Sequence, residues 1–294
     1  IVNRQYQRKL CWTIEEKQNF IDTLSKGFPV PLFLFAMDVD GNYEIIDGMQ
    51  RLDAICSFIN QRYSLKDGYF NLESMTASLD LYRQNKQSTP ALSKEFCTQL
   101  ANYPLPISIF SAESSKIEEI FKRINSNGRH LSKQELRQVG VNSMFANLVR
   151  KLAQEVRGDA SADVLNLAEM TKISLSNYKL PYSVNIKQTF WIKNKIFPEF
   201  GLRQSRDEEI IALLLRNMMS EEGDDYRFNA NILDRYYGYN SNPFSSELLK
   251  EENFIATMLG RYGEEVIYNQ FNKVFSCLEE AISYSQNNFR GLLG

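Results

Sequence analysis

Ile45-Ile46-Asp47-Gly48-Met49-Gln50-Arg51 decides how this chain is read. Two β-branched residues end a strand, Asp-Gly turns the chain, and Leu52, Ile55, Cys56 and Ile59 then recur at helical spacing. A helix that begins straight after a strand presents unpaired backbone N–H groups and the positive end of its dipole, and both favour an anion. Gly48 carries no side chain to keep a ligand away from that backbone. Arg51, one turn inside, has the fork geometry to grip a phosphate, Gln50 can donate or accept, and Asp47 can hold a metal ion or a water. Spacing alone also permits a plainer reading, with Asp47 as the helix N-cap and Arg51 as its surface salt-bridge partner.

Working outward, the stretch sits in an α/β pattern. Thr13-Ile14-Glu15-Glu16 is a capping box for a helix that carries Ile14, Ile21 and Leu24 on one face and stops at Gly27 and Pro29. The apolar runs 32–37 and 43–46 flank Asp38-Val39-Asp40-Gly41-Asn42, which makes them a hairpin. Downstream, 93–103 reads as a helix and 105–110 as another strand. Ser115-x-x-Glu118 caps a helix with Ile117, Ile120, Phe121 and Ile124, 125–131 is a loop, and Ser132-x-x-Glu135 is a further capping box. Beyond it the periodicity is helical with no strand, and helices are expected near 163–170, 184–196, 207–219, 245–259 and 264–284. The fold class is therefore α+β: a small α/β domain over residues 1–135, then a mostly α-helical domain over 136–294.

The 294 residues, 43% of them hydrophobic, are enough to fill a substantial core, and 14 Gly with 8 Pro favour helices over long loops. No run approaches the ~18 apolar residues of a membrane helix, and the start is not a secretion signal, so a cytoplasmic protein is expected. The chain opens on Ile1 without a methionine, and residues upstream are expected to have been processed, disordered or left out. Cys11, Cys56, Cys97 and Cys277 form no Cys-x-x-Cys pair, which signals neither zinc nor a disulfide framework. His130 is the only histidine, which excludes His-rich zinc catalysis, a two-histidine phosphodiesterase and a His-Asn-His nuclease within these residues. The net charge of −2 gives no global field for nucleic acid. Locally, Lys122, Arg123, Arg129, Lys133 and Arg137 face only Glu135.

Two other clusters invite chemistry. Arg206-Asp207-Glu208-Glu209 offers carboxylates for a metal, although acids suit a first helical turn and Ser205-x-x-Glu208 is itself a capping box. Tyr226, Tyr236, Tyr237 and Tyr239 could stack on bases, but a packed helical domain needs such residues anyway.

Five motifs occur in order: Tyr6-Gln7-Arg8-x-x-x-Trp12, Gly27-Phe28-Pro29-Val30-Pro31, Ile46-Asp47-Gly48-Met49-Gln50-Arg51-Leu52, Phe121-Lys122-Arg123-Ile124-Asn125-Ser126-Asn127-Gly128, and Leu131-Ser132-x-x-Glu135-Leu136-Arg137. Together, over roughly residues 4 to 140, they resemble the N-terminal domain of GmrSD-type restriction proteins, in the ParB and sulfiredoxin-like superfamily. That family's hallmark is Asp-Gly-Gln-Gln-Arg, from which this chain departs only at Met49. The resemblance implies a nucleotide-binding domain, in some members an NTP hydrolase, serving defence against foreign and often modified DNA. It implies catalytic roles for Asp47, Gln50 and Arg51, with Arg8, Gly48, Arg51, Arg123, Asn125 and Asn127 binding nucleotide or phosphate. The local basic stretch adds an expectation of its own, that Arg129, Lys133 and Arg137 face DNA, and Asp47 would hold Mg2+ or another divalent cation beside an NTP of unknown base. DNA and a nuclease or other defence subunit are the expected partners. Two alternatives stand beside this: a non-catalytic DNA-binding or sensor module, and a ParB-like nuclease that cleaves DNA directly.

Overall fold

The computed structural model describes residues 1–4, 7, 9–38, 40–111, 116–117, 120, 132–138, 141, 143–159, 164–175, 184–219, 232–237 and 259–288. Contacts divide the chain into two units. Unit 1 comprises Ile1–Asn127 with Ser161–Ile186, and unit 2 comprises Gly128–Ala160 with Lys187–Gly294.

Unit 1 is built on the expected hairpin. β2 (Phe33–Met37) and β3 (Tyr43–Asp47) pair antiparallel, and β4 (Ile107–Ser111) lies parallel to β2, giving the order β3-β2-β4. The Asp38 carboxylate ties the hairpin turn by accepting from the Asp40 and Asn42 amides and the Asn42 side chain. Helix α1 (Ile14–Ser25) starts at the Thr13–Glu16 capping box, both halves of which are formed. Helix α2 (Met49–Ile59) follows β3 directly, and α3 (Leu79–Arg83) and α4 (Lys94–Ala101) complete the unit's main helices.

Apolar side chains gather in two clusters. Phe20, Ile21, Leu24, Phe33, Ala54, Phe58, Tyr63, Phe70 and Cys97 form one, and Val2, Leu10, Ile45, Met49, Leu165, Met170 and Ile173 form the other. Because α2 contributes to both, it is buried on most sides, even at Gln50, Arg51 and Asp53. Burying a Phe or Leu side chain stabilises by about 1.5–3 kcal/mol, so this helix is held chiefly by packing. Asp53 enters the apolar contact between α1 and α2 as an ion pair, with Lys17 Nζ at 2.6 Å and the Ser57 hydroxyl donating at 3.0 Å.

The second cluster is closed by chain that returns from far along the sequence. Strand β1 (Val2–Asn3) pairs antiparallel with β5 (Val164–Leu165), and Leu10 bridges to Ser174. No strand was expected after residue 140, because a two-residue strand has no periodicity to detect. The helix expected near 163–170 is a run of 3₁₀ turns over Leu167–Ile173.

Unit 2 is helical among its described residues. Its helices are α5 (Lys133–Gln138), α6 (Met144–Arg157), α7 (Phe190–Lys193), α8 (Glu199–Arg203), α9 (Arg206–Met219), α10 (Leu233–Tyr236) and α11 (Glu264–Asn288). Ser143 caps α6 by accepting from the Ala146 amide, and Gly158 ends it in the left-handed region at φ 73°. The helix expected at 184–196 is broken into a 3₁₀ turn, Ile186–Gln188, and the single turn of α7. The helices expected at 207–219 and 264–284 are present as α9 and α11, and the one expected at 245–259 lies almost entirely outside the described residues.

Charge, rather than only apolar surface, joins the helices of unit 2. Arg157 at the end of α6 is buried and pairs with Asp207, with Glu208 at 3.4 Å and with Asp159 at 3.7 Å. Glu209 pairs with Arg206 and, at 3.2 Å, with Arg137. The acids that open α9 therefore serve this unit's ion pairs. Tyr236 and Tyr237 likewise pack against Phe145, at ring distances of 5.5 and 5.4 Å. Tyr226 and Tyr239 lie outside the described residues.

Among the described residues no helix is long and apolar enough to cross a membrane.

Candidate functional site

The site begins with a register fault in the hairpin. Leu34 pairs with Asp47 but Phe35 with Ile45, so Ile46 is an extra residue on β3. Such a bulge bends the strand and re-aims the side chains beside it. Here it lets Ile45 and Ile46 both be buried in succession and brings Asp47 to the mouth of α2. Gln7 supports the bulge, its Nε2 donating to the carbonyls of Ile45 at 2.7 Å and Ile46 at 2.9 Å.

At the junction Gly48 takes φ 103°, a region that strains any residue with a Cβ, and it is the N-cap of α2. A Cβ placed there would lie 2.6 Å from Phe33 Cδ1. The glycine is thus demanded from two sides, by the backbone angle and by the buried ring. Close approach of a ligand is not needed to explain it.

Asp47 is not the N-cap that spacing alone permitted. Its Oδ1 accepts from the Gly48 amide at 2.7 Å and its Oδ2 from Arg51 Nη2 at 3.0 Å. The i,i+4 salt bridge with Arg51 is present, and the Asp47 side chain stays 43% exposed. Each carboxylate oxygen takes one of these bonds, which fixes the plane of the group and leaves lone-pair capacity on both oxygens.

Arg51 faces inward. Its Nη1 donates to the Pro31 carbonyl, its Nη2 donates to the Leu32 carbonyl at 3.1 Å, and the guanidinium lies 4.7 Å over the Phe33 ring. Burial pushes the guanidinium below its ordinary pKa, with the Asp47 charge opposing. Gln50 is committed as fully: Oε1 accepts from the Cys11 and Trp12 amides at 3.0 and 3.1 Å, and Nε2 donates to the Lys9 carbonyl at 2.9 Å. It clamps the N-terminal segment onto α2, a part that motif spacing gave no reason to expect. The first intrahelical bond of α2 runs from the Leu52 amide to the Gly48 carbonyl at 2.8 Å. The Met49, Gln50 and Arg51 amides are therefore the first-turn donors that helix geometry leaves unpaired within the helix.

The remaining candidates divide. Arg8, Arg123, Asn125, Asn127 and Arg129 lie outside the described residues, as does His130. Lys133 belongs to unit 2, is half-exposed and pairs with Asp234 at 3.0 Å. Arg137 requires correction as a DNA contact. Its side chain is 0% exposed and is held by Asp234 at 2.6 Å, Glu209 at 3.2 Å and Gln134 Oε1 at 3.2 Å. A guanidinium enclosed in that way organises the unit's interior and has no face left for a polyanion. The Ser132–Glu135 capping box just before it is formed, with reciprocal bonds of 2.8 and 3.1 Å.

Comparison with known proteins adds one finding. The family described as "GmrSD restriction endonuclease, N-terminal domain" matches residues 1–139, just under half of the chain. No curated protein and no solved structure matches the chain.

Proposed function

Residues 1–139 are an N-terminal domain of the GmrSD restriction endonuclease type, the mark of a restriction-like defence protein, and from that premise we propose a nucleotide-binding, NTP-hydrolysing module that acts against foreign or modified DNA. One observation carries the reading. Asp47 is the polar side chain of the Asp47–Arg51 motif that stays exposed, held in a fixed plane at the N-terminus of α2 by Gly48 and Arg51.

An NTP brings its own negative charge, so an exposed carboxylate beside a phosphate calls for a cation between them. Among the described residues no three metal-ligating side chains gather. Mg2+ takes one or two protein carboxylates and completes its octahedron with phosphate oxygens and water. Asp47 would hold the ion, which when bound supplies charge neutralisation at the phosphates. The first-turn amides of α2 would receive a phosphate oxygen directly. In this reading Arg51 is a positioning residue that fixes Asp47, and Gln50 holds the N-terminal segment in place. Arg8, Gly48, Arg123, Asn125 and Asn127 complete the phosphate pocket by family resemblance, with Arg129 and Lys133 as DNA contacts.

Calorimetry with ATP, GTP and CTP, each with and without Mg2+ and duplex DNA, tests the proposal. Wild-type protein binds at least one nucleotide and Asp47→Asn, shown by circular dichroism to be folded, loses the Mg2+-dependent part. A wild type that binds no nucleotide under any of these conditions would falsify the reading. DNA binding without nucleotide turnover would instead identify a sensor module.

A further inference from the structure

Helix α11 runs for 25 residues, but unit 2 covers only its first half. Ile267, Phe271 and Phe275 are buried, and Tyr268 donates to Glu155 at 2.7 Å. From Ser276 to Ser285 no residue is buried and most are exposed. The stretch from Ser276 to the end of the helix is short enough to be marginal in water unless something packs on it.

The overhang is not uniformly polar. At about 100° per residue, Val274, Cys277, Leu278 and Ala281 fall in one sector roughly 100° wide. Val274 is 45% exposed and Leu278 36%, and Cys277 is an exposed free thiol. Lys273 and Glu280, both exposed and seven residues apart, lie together on one flank of this stripe. Residues on the same flank meet each other when two copies of a helix run antiparallel about a two-fold axis. An axis near Ser276 and Cys277 sets Val274 against Leu278 of the other copy and Lys273 against Glu280, twice over. A parallel pair in register would set each charge level with its own kind.

We infer that the second half of α11 is a self-association surface, on which two copies of this chain pair antiparallel through Val274, Cys277, Leu278 and Ala281 with reciprocal Lys273–Glu280 contacts. The arrangement is isologous, as a two-fold dimer requires. The stripe is about two turns long and falls short of the ~1,200 Å2 that stable complexes bury, so the dimer is weak and concentration-dependent.

Sedimentation of the full chain up to on the order of 200 μM, read as a dissociation constant, provides the test. Wild type shows a monomer–dimer equilibrium. Lys273→Glu weakens it about tenfold or more, an exchange worth roughly 1.4 kcal/mol, and Lys273→Glu with Glu280→Lys restores it. A short bis-maleimide joins two wild-type copies, whereas Cys277→Ser still dimerises but is not joined. Three results overturn the inference: a wild type that stays monomeric, a dimer indifferent to Lys273→Glu, or a double exchange that fails to restore what the single one lost. All of these side chains are exposed, so circular dichroism of each variant should match wild type.

Discussion

Replacing Gly48 with alanine separates the demands of the backbone from those of packing. A residue with a Cβ in the left-handed region costs about 1–2 kcal/mol. Gly48 adds a second cost, because the new Cβ would meet the Phe33 ring at 2.6 Å and that ring is 1% exposed. Forcing an extra methyl into a packed interior costs about 1–3 kcal/mol, which brings the expected loss to roughly 2–5 kcal/mol. Gly27, at φ 68° with nothing within 4 Å of its would-be Cβ, lies in the same unit and carries only the backbone cost. The two units need not unfold together, so unfolding in urea is followed at Trp12, which packs edge-on to Phe20 at 5.6 Å, with Trp191→Phe removing the second reporter. Combining Gly48→Ala with Phe33→Leu gives back part of the packing cost, a coupling of about 0.5–3 kcal/mol between neighbours. If Gly48→Ala costs no more than Gly27→Ala, the ring is not what demands the glycine and the account of the junction fails.

Three further outcomes follow from the geometry. Gln50→Ala removes three bonds to the Lys9, Cys11 and Trp12 backbone and should cost about 2–3 kcal/mol, with hydrogen exchange rising at residues 9–12 and not in the hairpin; unchanged protection at 9–12 would refute the clamp. Arg157→Ala leaves Asp207 and Glu208 without their buried countercharge and should cost about 3–5 kcal/mol in thermal unfolding of unit 2, so a neutral result would contradict the ion-pair account. Hydrogen bonds from the Asn42 side chain and then its amide hold the Asp38 carboxyl below its ordinary 3.8. Its contribution to the hairpin is therefore present above the unfolded pKa and lost as pH falls through the depressed folded value; an NMR titration of Asp38 with a midpoint at or above 3.8 would count against it.

What could be read from the sequence was what local chemistry writes down. Two apolar runs around Asp38–Asn42 can only meet as a hairpin, and Thr13 with Glu16 and Ser132 with Glu135 announce helix starts through short-range bonds that the structure contains. Helix α6 carries such signals too, in Ser143, the spacing Phe145, Leu148, Val149, Leu152 and the closing Gly158. Other features depend on residues remote in the chain. Nothing near Val2 tells of Leu165, and nothing near Gly48 tells of Phe33. For Arg137 the local basic run pointed outward, yet its partners Glu209 and Asp234 arrive from 72 and 97 residues away. Of the motif, Asp47 alone keeps an exposed functional group by this account. Gln50 and Arg51 were legible as polar and close by, but which backbone they would hold was not.

The pairing of β1 with β5 also sets a timetable for biosynthesis. Met49 leaves the ribosome long before Ile173, and both belong to one apolar cluster with Val2, Leu10 and Ile45. At about 5–20 residues per second that interval is roughly 6–25 s. A hairpin formed in that interval would have one apolar face uncovered, and transiently exposed apolar surface is prone to aggregate. Ending the polypeptide near residue 139 would make that transient condition permanent, because the residues that seal the face have yet to be made.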